Sequence, residues 1–186
     1  GLARLGDVVR EPGESELARE LFERSLTIRE EVSQAEPENT SYRRGVAIGL
    51  ARLGDLARER AEPYLARDFY ERSLGISEEV SLAEPENTFY RRDVGLGLAR
   101  LGDLARELGG LELARELFER SLAIREEVSQ AEPENIRNRR DVGLGLARLA
   151  DLARELGELE LARELYERSL AIREEVSQAE PENIRN

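Results

Sequence analysis

Serine is the first residue type to test for chemistry, because Ser25, Ser73, Ser121 and Ser169 recur at a fixed spacing. A serine nucleophile needs a base within hydrogen-bond reach, commonly histidine. The chain contains neither histidine nor cysteine. That removes the commonest general base, the thiol nucleophile and the softer zinc ligands together. Paired glutamates stand at Glu30-Glu31, Glu78-Glu79, Glu126-Glu127 and Glu174-Glu175. Neighbouring residues of a helix diverge by about 100°, so such pairs do not converge on one substrate atom; a solvated face is expected. Gly97 and Gly102 have the spacing of a phosphate-binding loop, yet Asp103 stands where its lysine belongs. No nucleotide site is expected, and no cofactor or metal.

A second set of charges is more regular. Arg52, Asp55 and Arg58 reappear as Arg100, Asp103 and Arg106, and again as Arg148, Asp151 and Arg154, with Arg4, Asp7 and Arg10 ahead of them. Arginine forks suit carboxylates. The same residues can also satisfy one another as a ladder, each aspartate pairing with an arginine above, below or on its own helix. A further basic cluster is Arg43-Arg44, Arg91-Arg92 and Arg139-Arg140. Cations near the start of a helix oppose its dipole, so pairing with Glu36, Glu38, Glu84, Glu86, Glu132 and Glu134 is expected. Tyr42, Tyr64, Phe89 and Tyr90 read as exposed aromatics able to anchor a partner.

All of these columns share one period. The phrase Gly-Leu-Ala-Arg-Leu begins at Gly1, Gly49, Gly97 and Gly145, 48 residues apart. Units three and four differ over 42 residues only at Gly102/Ala150, Gly110/Glu158 and Phe118/Tyr166. A fixed period of this size marks a stacked-repeat architecture in which each unit buries its neighbours. Residues 1–186 are therefore expected to form a single array of units 1–48, 49–96, 97–144 and 145–186, cut from a longer one.

Each unit reads as two helices. Taken from the third unit, the first helix spans about Ile136 to Leu156, capped by Asn135 or Asn138. Val142, Leu144, Leu146, Leu149, Leu152 and Ala153 are expected to form its buried stripe. Gly157 turns the chain, as Gly109 and Gly110 do one unit earlier. The second helix runs from Glu158 to Ala179 and is apolar on more than one face. Pro37, Pro85, Pro133 and Pro181 end the second helices by forcing the preceding residue out of the α region. Exposed ladders such as Glu116 with Arg120 and Arg115 with Glu119 flank them. Gly95, Gly97 and Gly102 each cost about 1 kcal/mol inside a helix, so a close backbone approach is expected there.

The pattern resembles the tetratricopeptide repeat, about 34 residues in standard form. The matching residues are Leu2, Leu5, Gly6, Ala18, Phe22 and Ser25; Leu50, Leu53, Gly54, Ala66, Tyr70 and Ser73; Leu98, Leu101, Gly102, Ala114, Phe118 and Ser121; and Leu146, Leu149, Ala150, Ala162, Tyr166 and Ser169. The family's first-helix tryptophan is leucine here, and its later tyrosine is Val9, Ala57, Ala105 or Ala153. The surplus length makes it similar to the long-helix variants of kinesin light chain and bacterial signalling proteins. The resemblance implies an all-α solenoid of stacked antiparallel helical hairpins, a superhelix with its concave side lined by first helices. It implies that the serine column is a packing position and that the chain is not an enzyme. It also implies a scaffold for a protein or peptide partner, with Arg52, Asp55, Arg58, Arg100, Asp103, Arg106, Arg148, Asp151, Arg154 and Tyr90 as candidate contacts.

Net charge −12 argues against nucleic acid, which wants a basic stripe. No apolar run reaches the roughly 18 residues of a membrane span, and no signal-like start is present, so a cytoplasmic location is expected. All 28 basic residues are arginine, as in GC-rich coding or a consensus-built sequence. The alternative function is a spacer or self-assembling element that stacks end to end.

Overall fold

The structure, a computed structural model, describes residues 15–179, and those residues fold into helices without a strand. The order is α1 (Ser15–Ala35), α2 (Thr40–Glu59), α3 (Pro63–Ala83), α4 (Thr88–Glu107), α5 (Leu111–Ala131), α6 (Ile136–Glu155) and α7 (Leu159–Ala179). The columns expected at residues 2–10 and the proline at 181 lie outside the described residues. Two compact units divide the chain, residues 1–90 and 91–186.

In the first unit α1 packs on α2, and α2 on α3. Ala18, Phe22 and Leu26 of α1 meet Val46, Leu50, Leu53 and Leu56 of α2, with Phe69 and Ile76 against them. Asn39 caps α2, its side chain accepting from the Tyr42 N–H, which satisfies one orphan donor of the first turn. The turn into α3 passes through Ala61 at φ 57 and ends on Pro63 at the first helical position, where proline's missing N–H costs nothing.

In the second unit α5 packs on α6, and α6 on α7. Asn135 caps α6, accepting from the Arg137 N–H at 3.2 Å. Asn138, the other candidate cap, is instead buried and donates to Glu132. The turn into α7 uses Gly157 at φ +80, a left-handed conformation that glycine adopts without steric cost.

The serine column is a packing device. Ser73 Oγ donates to the Ala47 carbonyl at 2.8 Å, Ser121 to Gly95 at 2.7 Å and Ser169 to Gly143 at 2.8 Å. Each ties a second helix to the first helix of its own hairpin. Close approach is required at Gly54 and Gly102, where a Cβ would lie 2.5 Å from the Tyr70 ring and 2.6 Å from the Phe118 ring. At Gly95 a Cβ would meet only ordinary contacts, the nearest at 3.5 Å, so the expectation of close approach fails there. Arg115 also departs from the expected i,i+4 pair with Glu119. It bridges to Glu158 at 2.6 Å, because residue 158 carries a carboxylate where Gly110 has none.

Candidate functional site

The arginine–aspartate columns sit on the first helices, and the structure largely engages them within the protein itself. On α2, the Arg52 guanidinium lies over the Phe22 ring at 5.9 Å, Asp55 accepts from the Tyr70 hydroxyl at 2.8 Å, and Arg58 occupies the last turn, where a cation favours the helix dipole. In the second unit, Arg148 Nε reaches Asp103 at 3.2 Å and Arg106 reaches Glu155 at 3.0 Å. These two pairs join α4 to α6. Asp151 accepts from the Tyr166 hydroxyl at 2.5 Å, holding the phenol's pKa above its ordinary value. Arg154 shares that tyrosine, whose hydrogen bond raises the guanidinium pKa. Arg100 is half-buried on α4.

A buried cation that the sequence reading missed lies beside this ladder. Arg125 of α5 is 5% exposed; its Nε donates to Ser121 Oγ at 3.1 Å and an Nη to the Asp141 carbonyl at 2.8 Å. Burial pushes its pKa down to about 10, so it remains charged at neutral pH. Arg92 pairs with the Asp141 carboxylate at 2.5 Å nearby. In the first unit Arg29 of α1 donates likewise to the Gly45 carbonyl of α2 at 3.1 Å. The signal was legible: Arg125 falls between Leu122 and Val128 at the spacing of a buried stripe.

Arg43 and Arg91 of the basic cluster take partners other than those expected. Arg43 pairs with Glu79, and Arg91 with Glu127 at 2.6 Å. Three of the loop glutamates accept from nearby asparagines: Asn39 donates to Glu36, Asn87 to Glu84 and Asn135 to Glu132. Glu79 and Glu127 stay largely exposed, at 65% and 61%, as the solvated face expected for the glutamate pairs requires. Glu126 also meets Arg168 at 3.3 Å.

Tyr90 corrects the expectation of an exposed aromatic. It is 8% exposed, with its hydroxyl 3.2 Å from Thr40 Oγ1. Tyr64 and Phe89 are exposed, as expected, and Tyr42 lies at the margin.

A pocket of about 350 Å³ opens in the second unit, lined by Glu126, Ser129, Gln130 and Pro133 on and just after α5, Arg139 and Val142 of α6, and Ile172 of α7. Arg139 Nε is buried without a hydrogen-bond partner. No cluster of potential metal ligands occurs among the described residues, and no described helix is long and apolar enough to cross a membrane.

Repeated helical hairpins with a shared interior and ribbed charged faces define an all-α solenoid, a class that works through its surfaces. The family model described as tetratricopeptide repeat matches residues 98–133 and 146–181, one match in the third unit and one in the fourth. BtubC (BKLC) from P. vanneervenii has a similar crystal structure, with TM-score 0.71 and 19% identity over 95% of this chain. The chain spans 63% of BtubC's length. A de novo designed helical repeat protein, DHR64, is similar at TM-score 0.52 and 17% identity, covering 95% of this chain and 90% of its own. No curated protein matches the chain.

Proposed function

We propose that this chain is a non-enzymatic scaffold that binds an extended segment of a partner protein along the edge groove of its second unit. The ligand carries an acidic side chain next to an apolar one: the carboxylate meets Arg139, and the apolar group rests on Val142 and Ile172. The observation that carries this reading is the buried Arg139 Nε with no acceptor. Leaving a buried donor unpaired costs about 1–3 kcal/mol, which a ligand carboxylate offsets on binding. Using the column at Arg100, Asp103, Arg106, Arg148, Asp151 and Arg154, or its counterpart at Arg52, Asp55 and Arg58, would first require interactions already made to be broken. Breaking them offsets part of what a ligand carboxylate would gain there, so the column serves as a secondary contact.

Selection of peptides from a displayed random library, followed by fluorescence anisotropy, tests this. Selected peptides should carry Asp or Glu beside an apolar residue, and Arg139→Gln should weaken their binding about tenfold, as loss of a charged hydrogen bond does. Arg148→Gln should change it little. A library that yields no binder, or binders sensitive to Arg148 and indifferent to Arg139, contradicts the edge-groove reading.

A further inference from the structure

The groove at Arg139 has a counterpart two repeats earlier. Each residue that lines it recurs there in the same type, among them Glu30 and Pro37 on and just after α1, Arg43 and Val46 on α2, and Ile76 on α3. The frame around these residues is repeated as well. Arg29 of α1 donates to the Gly45 carbonyl of α2, as Arg125 of α5 donates to the Asp141 carbonyl of α6. Gly49 lies against Leu26 as Gly145 lies against Leu122, so that an added Cβ would stand 3.0 Å and 3.1 Å from the leucine Cδ1. Ser73 ties α3 to α2, and Ser169 ties α7 to α6, through carbonyl bonds of one length, 2.8 Å. Val46 and Val142 are equally buried, and Ile76 and Ile172 are both half-buried.

The arginines differ in what they hold. Arg43 gives its guanidinium to Glu79 of α3. Arg91 of α4 does the same with Glu127 of α5 at 2.6 Å, and both pairs span 36 residues. Glu175 stands at that step from Arg139, whose Nε is nevertheless buried without an acceptor. In two of these three repeats, then, the chain's own carboxylate occupies the arginine, and it shows the chemistry that this place accepts. The occupant is loosely held: the Glu79 side chain is 65% exposed, and exposed ion pairs contribute little.

We propose that the first unit holds a second binding site for an acidic side chain beside an apolar one, kept closed by Glu79. The ligand carboxylate takes the place of the Glu79 carboxylate on Arg43, and its apolar neighbour rests on Val46 and Ile76. With Glu79 in place, an incoming carboxylate meets a guanidinium that is already neutralised. A ligand must therefore displace an internal competitor, and its apparent affinity falls with the fraction of chains in which the site is closed. The ligand class rests on the reading of the groove at Arg139; the closure by Glu79 does not.

Selection from a displayed random peptide library against a whole chain carrying both Glu79→Gln and Arg139→Gln tests it, because the groove of the second unit is then disabled. Selected peptides should carry Asp or Glu beside an apolar residue. In fluorescence anisotropy, adding Arg43→Gln should weaken their binding about tenfold, as loss of a charged hydrogen bond does. Restoring Glu79 should weaken it about two- to fivefold, the range of an exposed ion pair. Glu79→Ala in place of Glu79→Gln should bind as well as the double variant. The far-ultraviolet circular dichroism spectrum should stay unchanged throughout, since each replaced side chain is at least partly exposed. Binders that need Arg43 sustain the proposal even where no peptide binds the wild-type chain through Arg139, a failure that contradicts only the reading of that groove. A double variant that yields no binder, binders indifferent to Arg43→Gln, or binders held as tightly once Glu79 is restored overturn the proposal.

Discussion

Helices α5 and α7 carry almost one sequence in two environments. Leu122 is 8% exposed where its copy Leu170 is 56% exposed, and Phe118 is 1% exposed against 37% for Tyr166. Arg125 is buried with its charge held by a hydroxyl and a carbonyl, whereas Arg173 is exposed. The own-hairpin contacts are nevertheless the same: Leu117 and Leu165 are both buried, and Ser121 and Ser169 both reach a glycine carbonyl. One face of each second helix thus belongs to its hairpin, and the other to whatever is stacked next. The difference resides in the neighbour, not in the residues.

Four substitution experiments break or sharpen that contrast. The largest effect is expected from Leu122→Ala, which empties a closed joint and should cost about 2–5 kcal/mol. Leu170→Ala should cost at most about 0.5 kcal/mol in the dilute chain, as exposed substitutions do. Urea unfolding of both checks this, and equal losses would erase the distinction. Gly102→Ala forces a methyl into the Phe118 ring; overpacking of about 1–3 kcal/mol should exceed the roughly 1 kcal/mol gained in helix propensity, lowering the thermal midpoint. Ala150→Gly should also lower it, through lost helix propensity and the loss of a methyl that is fully buried. A stabilised Gly102→Ala protein would mean the ring moves aside freely.

Ser121→Ala removes a donor to Gly95 and an acceptor for buried Arg125, and should cost about 1–2 kcal/mol; Ser169→Ala, which strands no buried cation, should cost about 1 kcal/mol or less. Chemical denaturation of the pair reads the difference, and the reverse order would show that Arg125 does not depend on Ser121. The smallest effect concerns acid. The Thr40 hydroxyl, at 2.5 Å, and then Asn87 hold the Glu84 carboxyl below its ordinary pKa. A depressed carboxylate contributes stability above its unfolded pKa and loses it as pH falls through the folded one. Thr40→Val should therefore leave a slightly less stable chain at neutral pH and narrow the gap to wild type in acid. A gap that widens on acidification contradicts this.

The period alone made the architecture legible. Because every unit must seal its neighbour at a constant step, four copies of Leu-Gly-Asp and Ser-Leu, with one alanine for glycine, were enough to read hairpins, and proline and glycine placed their ends within a residue or two. Asn135 announced its helix because a short side-chain acceptor before an apolar stripe has few other uses. The charge partners were not legible. Arg43 and Arg91 could be matched by sequence to the glutamates beside proline, yet those carboxylates face the asparagine caps, and Glu79 and Glu127 lie closer across the hairpin. Long flexible side chains choose partners by three-dimensional reach, which spacing does not encode. Tyr90 misled for a related reason: its position ahead of a helix suggested solvent, whereas its ring is buried and its hydroxyl lies beside Thr40. The edge pocket depends on Glu126, Arg139 and Ile172 from three helices, a juxtaposition that no single 48-residue repeat displays.

Native-state hydrogen exchange on the dilute chain tests the central distinction most directly. Amides from Leu122 to Val128 should exchange far more slowly than those from Leu170 to Val176, although the two stretches are identical in sequence. Equal protection of both stretches would show that stacking of one hairpin on the next does not govern the stability of these helices.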